Sequence, residues 1–334
     1  MADASMSEAR ADERAAPLLA VRELSVVFAT REGRLAAVED VSYTLARGRT
    51  LGIVGESGSG KSVLALSLLR LVPPPGRIVR GNIRLDGVEL TSLGAREITA
   101  LRGDRIAMIF QEPMTALNPV FTIGEQIAEA LRLHRGMNRG EASEAALAAL
   151  ARVGISAPER RARDYPHQLS GGMRQRAMIA MALACQPSLL VADEPTTALD
   201  VTIQAQILEL MLEAQAELGM AIQFVSHDMA VISEVADEVG VMYAGRLVEL
   251  APAEEFFQHP LHPYSQALIA SVPRIGARGA PSGIPGQMPS PFARPPGCRF
   301  SDRCPLADST CRAAEPALAE MGPRHRVACF KAAR

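Results

Sequence analysis

The chain has 334 residues, 48% hydrophobic and 22% charged, which allows a sizeable buried core and argues against global disorder. With 35 basic and 37 acidic residues the net charge is −2, and this gives no support to a nucleic-acid-binding surface. No apolar run reaches the roughly 18 residues that span a bilayer. The opening MADASMSEARADERAA is polar and acidic where a signal peptide is basic and then apolar, so the expectation is a cytosolic chain whose membrane role would run through partners.

In chain order, residues 1–17 read as a disordered leader, and from 18 to about 250 β-rich runs alternate with helical patterns, as in an α/β layered fold. TLGIVG (50–55) predicts a short apolar strand, and 62–71 follows with helical periodicity. NIRLDGVEL (82–90) predicts a hairpin turning at Asp86 and Gly87, and RIAMIF (105–110) a buried strand. Residues 124–153, rich in Ala, Glu and Leu at helical spacing, predict a helical insertion. SLLVADEP (188–195) and AIQFVSHD (221–228) are strands ending in polar residues, with an amphipathic helix over 201–218 between them. Past residue 252 the texture changes. HPLHPYSQALIASVP (259–273) gives a short helix between prolines, 274–297 is dense in Pro and Gly and reads as linker, and the tail beyond holds four of the 5 cysteines.

Lys61 and Lys331 are the only lysines, so each invites a reason. GESGSGKS, which is Gly55, Glu56, Ser57, Gly58, Ser59, Gly60, Lys61 and Ser62, matches G-x-x-x-x-G-K-[ST] between a strand and a helix, the context the motif requires. Glycines let backbone N–H groups turn inward around phosphate oxygens, and the positive end of the following helix faces the same anion. Lys61 would reach the β- and γ-phosphates and the Ser62 hydroxyl would ligate Mg²⁺; the plainer alternative is a Gly-rich turn with an exposed lysine. LLVADEP (189–195) supplies the second half of such a site. Asp193 at the carboxyl edge of the sheet can hold Mg²⁺ through water, and Glu194 is placed to polarise the attacking water. Alone, the pair could as well be two solvated acids.

LSGGMRQR (169–176) separates the nucleotide-binding classes. Ser170 is a good N-cap, Gly171 and Gly172 allow close backbone approach, and a helix starting there is an anion site; an ordinary capped helix would also use S-G-G. The segment resembles the signature of ATP-binding-cassette (ABC) ATPases, and a kinase reading leaves it unexplained. The resemblance covers roughly 19–273 and implies a P-loop ABC ATPase: a RecA-like α/β core with an antiparallel β subdomain and a helical subdomain at about 112–180. The cassette would occupy 18–255, and 256–334 would form a small irregular Cys-containing extension. By the same resemblance Phe28 would stack on adenine, Gln111 would be the Q-loop glutamine touching Mg²⁺ or the attacking water, and Asp200 in ALD would belong to the D-loop. His227 would contact the γ-phosphate, and Ser170, Gly171, Gly172 and Gln175 would face the ATP of a second subunit, the catalytic set being Glu194, His227 and Gln111.

MTALNP (114–119), HPLHPYSQALIASVP and the cysteine tail resemble the oligopeptide/dipeptide importer branch, which also contains nickel and glycan importers. The resemblance implies an ATPase that drives transport, peripheral on the cytoplasmic face of the inner membrane. Its partners would be two integral membrane permeases, a second ABC ATPase (a paralogue rather than itself) and, indirectly, an extracytoplasmic binding protein, with no nucleic acid. A soluble non-transport ABC ATPase is the other class, although such proteins usually carry two cassettes or a coiled-coil insertion. Cys298, Cys304, Cys311 and Cys329 are spaced C-x5-C-x6-C-x17-C. A reducing compartment disfavours disulfides, no C-x2-C knuckle suggests zinc, and four clustered thiols suit a four-iron four-sulfur cluster, as in some members of that branch; zinc and plain thiols stay open. The expected role is a structural staple remote from ATP chemistry.

Overall fold

The computed structural model describes residues 16–197, 200–272 and 283–332. Most of the leader, Ala198 and Leu199 of the D-loop, and the first part of the Pro/Gly-rich linker lie outside the described residues.

Two sheets carry the fold. β1 (Leu19–Thr30), β2 (Gly33–Leu45), β4 (Gly76–Leu85) and β5 (Val88–Glu89) form an antiparallel sheet in the order β2-β1-β4-β5. Asp86 and Gly87 turn the last hairpin with φ of 51° and 80°, the left-handed pair that matches strand twist in a two-residue loop. The second sheet has eight strands in the order β11-β12-β10-β9-β3-β8-β7-β6. Its parallel half is β3 (Thr50–Val54), β6 (Ile106–Ile109), β7 (Leu189–Asp193) and β8 (Ala221–Val225), with β9 (Glu238–Tyr243) also parallel to β3. Every residue of β3, β6, β7 and β8 is buried, which explains why these strands read as continuous apolar runs rather than alternations.

β10 (Arg246–Pro252) turns the sheet antiparallel, and β12 (His325–Val327) and β11 (Ala319–Gly322) of the C-terminal extension continue it. The tail therefore borrows the cassette's sheet instead of building its own. A buried carboxylate fastens it: Glu249, 0% exposed, accepts from the backbone of Leu261 (2.7 Å) and His262 (2.9 Å) and pairs with His325 Nε2 at 2.8 Å.

Helices pack around the parallel strands. α1 (Lys61–Leu68) and α2 (Ala95–Leu101) flank the antiparallel sheet's core, into which Leu64, Leu68 and Ile98 are buried. α3 (Pro113–Ala116), α4 (Ile123–Arg135), α5 (Arg139–Arg152), α6 (Pro158–Arg161) and α7 (Gly171–Leu183) form the helical lobe. α4 ends at Gly136 with φ of 65°, and Asn138 and Glu141 form the capping box of α5; the predicted insertion is thus two helices. α8 (Val201–Leu218), α9 (Met229–Val235), α10 (Ala253–Gln258), α11 (Pro263–Ala270) and α12 (Ser309–Ala313) complete the fold. No helix among the described residues is long and apolar enough to cross a membrane.

Candidate active site

The loop between β3 and α1 is a backbone device. Gly55 has φ of 148° and Gly60 of 106°, and a Cβ would stand 2.2 Å from the Met242 carbonyl at the first and 2.3 Å from the Ala37 carbonyl at the second. Only glycine meets both demands. Lys61 is nearly buried, and its ammonium donates to the carbonyls of Gly55 (2.7 Å) and Glu56 (3.0 Å). Burial lowers its pKa, against the opposing charges of Glu194, Asp193 and Glu56. An anion drawn into the loop would reinforce the charged form.

Strand ends bring the acids to the loop. Asp193 closes β7, and its Oδ1 accepts from Ser62 Oγ at 3.1 Å. Burial pushes its pKa up, helped by the neighbouring Glu194 charge, while Ser62 and Lys61 pull it down. This all-oxygen donor set, desolvated and next to phosphate-binding N–H groups, fits Mg²⁺. Glu194 follows in the left-handed region, φ 47°, a strained backbone that turns its side chain out of the sheet line. Its carboxylate gathers three partners: Oε2 accepts from Gln111 Nε2 (3.1 Å) and Thr197 Oγ1 (3.0 Å), and Oε1 lies 3.2 Å from His227 Nδ1. The three residues expected to be catalytic thus meet at one carboxylate.

The signature residues stand apart from the cavity lined by Lys61, Ser62, Gln111 and Glu194. Ser170 caps α7, accepting from Met173 N at 3.4 Å. Around Gly171 a Cβ would meet nothing within 4 Å, whereas at Gly172 it would sit 3.3 Å from Ile203. Gln175 is buried and donates to the Pro195 carbonyl, and Asp200 caps α8 through Ile203 N at 2.9 Å. These links join the signature helix to the segment after Glu194.

Phe28 is half-buried, its ring edge at Gly76 beside Val72, where a Cβ on Gly76 would meet it at 2.5 Å. One expectation is corrected: the tail is not remote from the phosphate loop. Arg303 forms a two-pronged ion pair with Glu56 of the phosphate loop (2.6 and 2.9 Å), and Tyr264 Oη accepts from Glu56 N at 2.8 Å. Residues 288–291 and Arg294 also line the cavity of about 530 Å³ that contains Lys61 and Ser62. Sequence reasoning missed these because folding alone brings an arginine 247 positions away to Glu56; no local pattern marks it.

Cys298, Cys304, Cys311 and Cys329 do converge on one cavity, but it holds only about 10 Å³, room for a single water at most and too little for a four-iron cluster. Burial raises the Cys298 thiol to about 11 and pushes Cys304 and Cys329 up as well. No group of three or more His, Cys, Asp or Glu among the described residues is arranged to hold a metal ion. Cys185 is buried in the core, as expected.

Residues 38–197 match the ABC transporter family and 248–311 the oligopeptide/dipeptide transporter C-terminal region. A Brucella melitensis protein named as a peptide import ATP-binding protein is 51% identical over 94% of this chain and 97% of its own. A Sinorhizobium fredii protein named as a peptide ABC transporter ATP-binding protein is 51% identical over 94% and 95%. Among solved structures, a dimeric ATP-binding cassette bound to ADP and phosphate after hydrolysis superposes with a TM-score of 0.64 at 29% identity, covering 70% of this chain and 98% of that one.

Proposed function

This chain belongs to the ABC transporter family of ATP-binding subunits, and from that premise we propose that it hydrolyses ATP to energise uptake of di- and oligopeptides. The ATP-hydrolysis reading rests on one observation above the rest: Glu194, held by Gln111, Thr197 and His227, stands beside Asp193, which hydrogen-bonds Ser62 in the same turn as Lys61. The peptide assignment is supported by the extension's match and by the names of the two relatives.

The chemistry is in-line transfer of the γ-phosphoryl group to water, in which the protein contributes position and charge. The phosphate loop presents N–H groups to the phosphates, and Lys61 neutralises developing charge. Glu194 accepts a hydrogen bond from the attacking water, while Gln111 and His227 hold that carboxylate and polarise the phosphoryl oxygens. When bound, Mg²⁺ on Ser62 and Asp193 would neutralise β- and γ-oxygens; Gln111 would complete its surroundings. The signature of Ser170, Gly171, Gly172 and Gln175 serves the nucleotide of a second ATPase, with Asp200 at the same interface, so two subunits close over two ATP molecules. Closure works on two permeases, fed by an extracytoplasmic binding protein, at the cytoplasmic face of the inner membrane.

Co-purification tests this reading. It requires recovery with two integral membrane subunits and peptide-stimulated ATPase activity in the reconstituted assembly; stimulation by nickel or a glycan instead would move the cargo within the branch. Metal at the four cysteines is carried by donor chemistry alone and requires their cavity to open. Stoichiometric iron and acid-labile sulfide in anaerobically purified protein would establish the cluster, and stoichiometric zinc the alternative. Protein with neither holds four plain thiols.

A further inference from the structure

We propose that the C-terminal extension supplies one wall of the nucleotide cavity in its own chain: Met288 and Pro291 pack on the sugar-and-base half of the nucleotide, and Arg303 positions them. This deepens the nucleotide-site reading and rests on it. The cavity has two chemically distinct ends. Lys61, Ser62, Gln111 and Glu194 form a polar end suited to phosphates and water. Most apolar side chains of the remaining lining lie on β2, Leu35 to Ala37, and on the extension, Met288, Pro289 and Pro291, with Val63, Ala244 and the polar Ser57, Ser290 and Arg294 beside them. The phosphates occupy the polar end, so the nucleoside is left the apolar one.

A purine there needs apolar surface to pack against. Met288 is suited to the role, since a polarizable thioether packs well on an aromatic face. Proline rings add rigid C–H surface that loses little freedom on binding.

The wall is tied to the groups that bind phosphate. Arg303, its side chain 4% exposed, uses one guanidinium in two directions. Toward the phosphate loop it grips both oxygens of Glu56. Toward the extension it donates to the carbonyls of Pro285 (2.8 Å) and Ile284 (3.4 Å), immediately before the wall. Its plane also lies over the Tyr243 and Phe300 rings, 5.8 and 5.9 Å from their centroids. On the far side Arg294 donates to Glu39 at 2.8 Å and to the Ala36 carbonyl on the opposite wall. Residues 288–291 thus lie between two arginines bonded to the cassette, Arg303 at Glu56 of the phosphate loop and Arg294 at Ala36 of the cavity lining. A preorganised wall of this kind adds affinity without an ordering cost at binding.

The test compares two ligands that share phosphates but differ in the nucleoside. The intact chain, with Mg²⁺, is titrated calorimetrically with ADP and with inorganic tripolyphosphate. The double variant Met288→Ala, Pro291→Ala should bind ADP about tenfold more weakly, equivalent to about 1.4 kcal/mol of lost contact, with tripolyphosphate affinity and the ligand-free melting temperature unchanged. In the assembled transporter the same variant should raise KM for ATP at constant kcat. Arg303→Gln should weaken both ligands, because it releases the loop and the wall together, and Arg303→Lys should recover part of the ADP loss. Equal weakening of both ligands by the double variant, or no weakening of either, would overturn the wall. If the double variant lost its melting transition, Met288→Gln judged by the same ligand ratio would decide. Wild-type chain that bound neither ligand would overturn the nucleotide reading itself, and the wall with it.

Discussion

Glu194 and Lys61 are close neighbours with separable duties. Glu194→Gln keeps the shape of the side chain but removes the charge that polarises water. We expect nucleotide affinity to persist while kcat falls about 10²- to 10⁴-fold, the range for losing a general base; steady-state hydrolysis beside equilibrium binding checks it, and near-normal turnover would refute the assignment. Lys61→Ala removes a nearly buried ammonium beside the phosphates, and binding should weaken about 10- to 100-fold, since a charged hydrogen bond contributes about 1.5–3 kcal/mol. Undiminished affinity would sink the cradle. Both residues were legible in the sequence because their spacing is local: a strand, a turn whose dihedral angles demand glycine, and a helix lie within a few residues. The apolar wall was not legible. Met288 comes to line the same cavity as Lys61 only through long-range packing.

The elements follow the same division. The parallel strands and α8 declare themselves by burial pattern, whereas β11 and β12 are four and three residues long and show no alternation long enough to read. β12 forms because the edge of β10 offers ladder partners, Glu249 facing Val327 and Leu250 facing Arg326, and β11 then pairs on β12. The joint between cassette and extension carries a titrating group. His262 is fully buried, its Nδ1 accepts from Tyr264 N at 3.0 Å, and burial lowers its pKa to about 4 from 6.5. The unfolded chain binds a proton to this group between those values and the folded chain does not, so stability rises with pH across that window. Acidifying from about pH 6.5 toward 4 should therefore destabilise the protein through this group, at no more than about 1.4 kcal/mol per pH unit. Denaturant midpoints of wild type and His262→Gln at pH 7 and 5 check it; an unaltered pH slope in the variant would exclude His262 as the source.

At the scale of the molecule, the cassette keeps its phosphate-binding and signature surfaces apart. Gly171→Asp places a carboxylate at a position open within this chain, so the isolated protein should bind ATP as before. In the assembled transporter the same carboxylate would face a partner's γ-phosphate and abolish stimulated hydrolysis; a variant complex with full activity at both sites would contradict the paired arrangement. The order of strands has a further consequence, for synthesis. β3, which launches the phosphate loop, is completed on its flanks by β8 and β9, and β8 follows it by about 170 residues, a delay of about 10–35 s at ribosomal elongation rates of about 5–20 residues per second. Throughout that interval this strand, fully buried in the finished fold, has neither lateral neighbour. A chain ending at Leu218 should be protease-sensitive and bind no nucleotide, although it contains the whole GESGSGKS motif; a compact, nucleotide-binding product would show that the strand can wait without them. The earliest motif to leave the ribosome is among the last to become a site, and until then it is a client for chaperones.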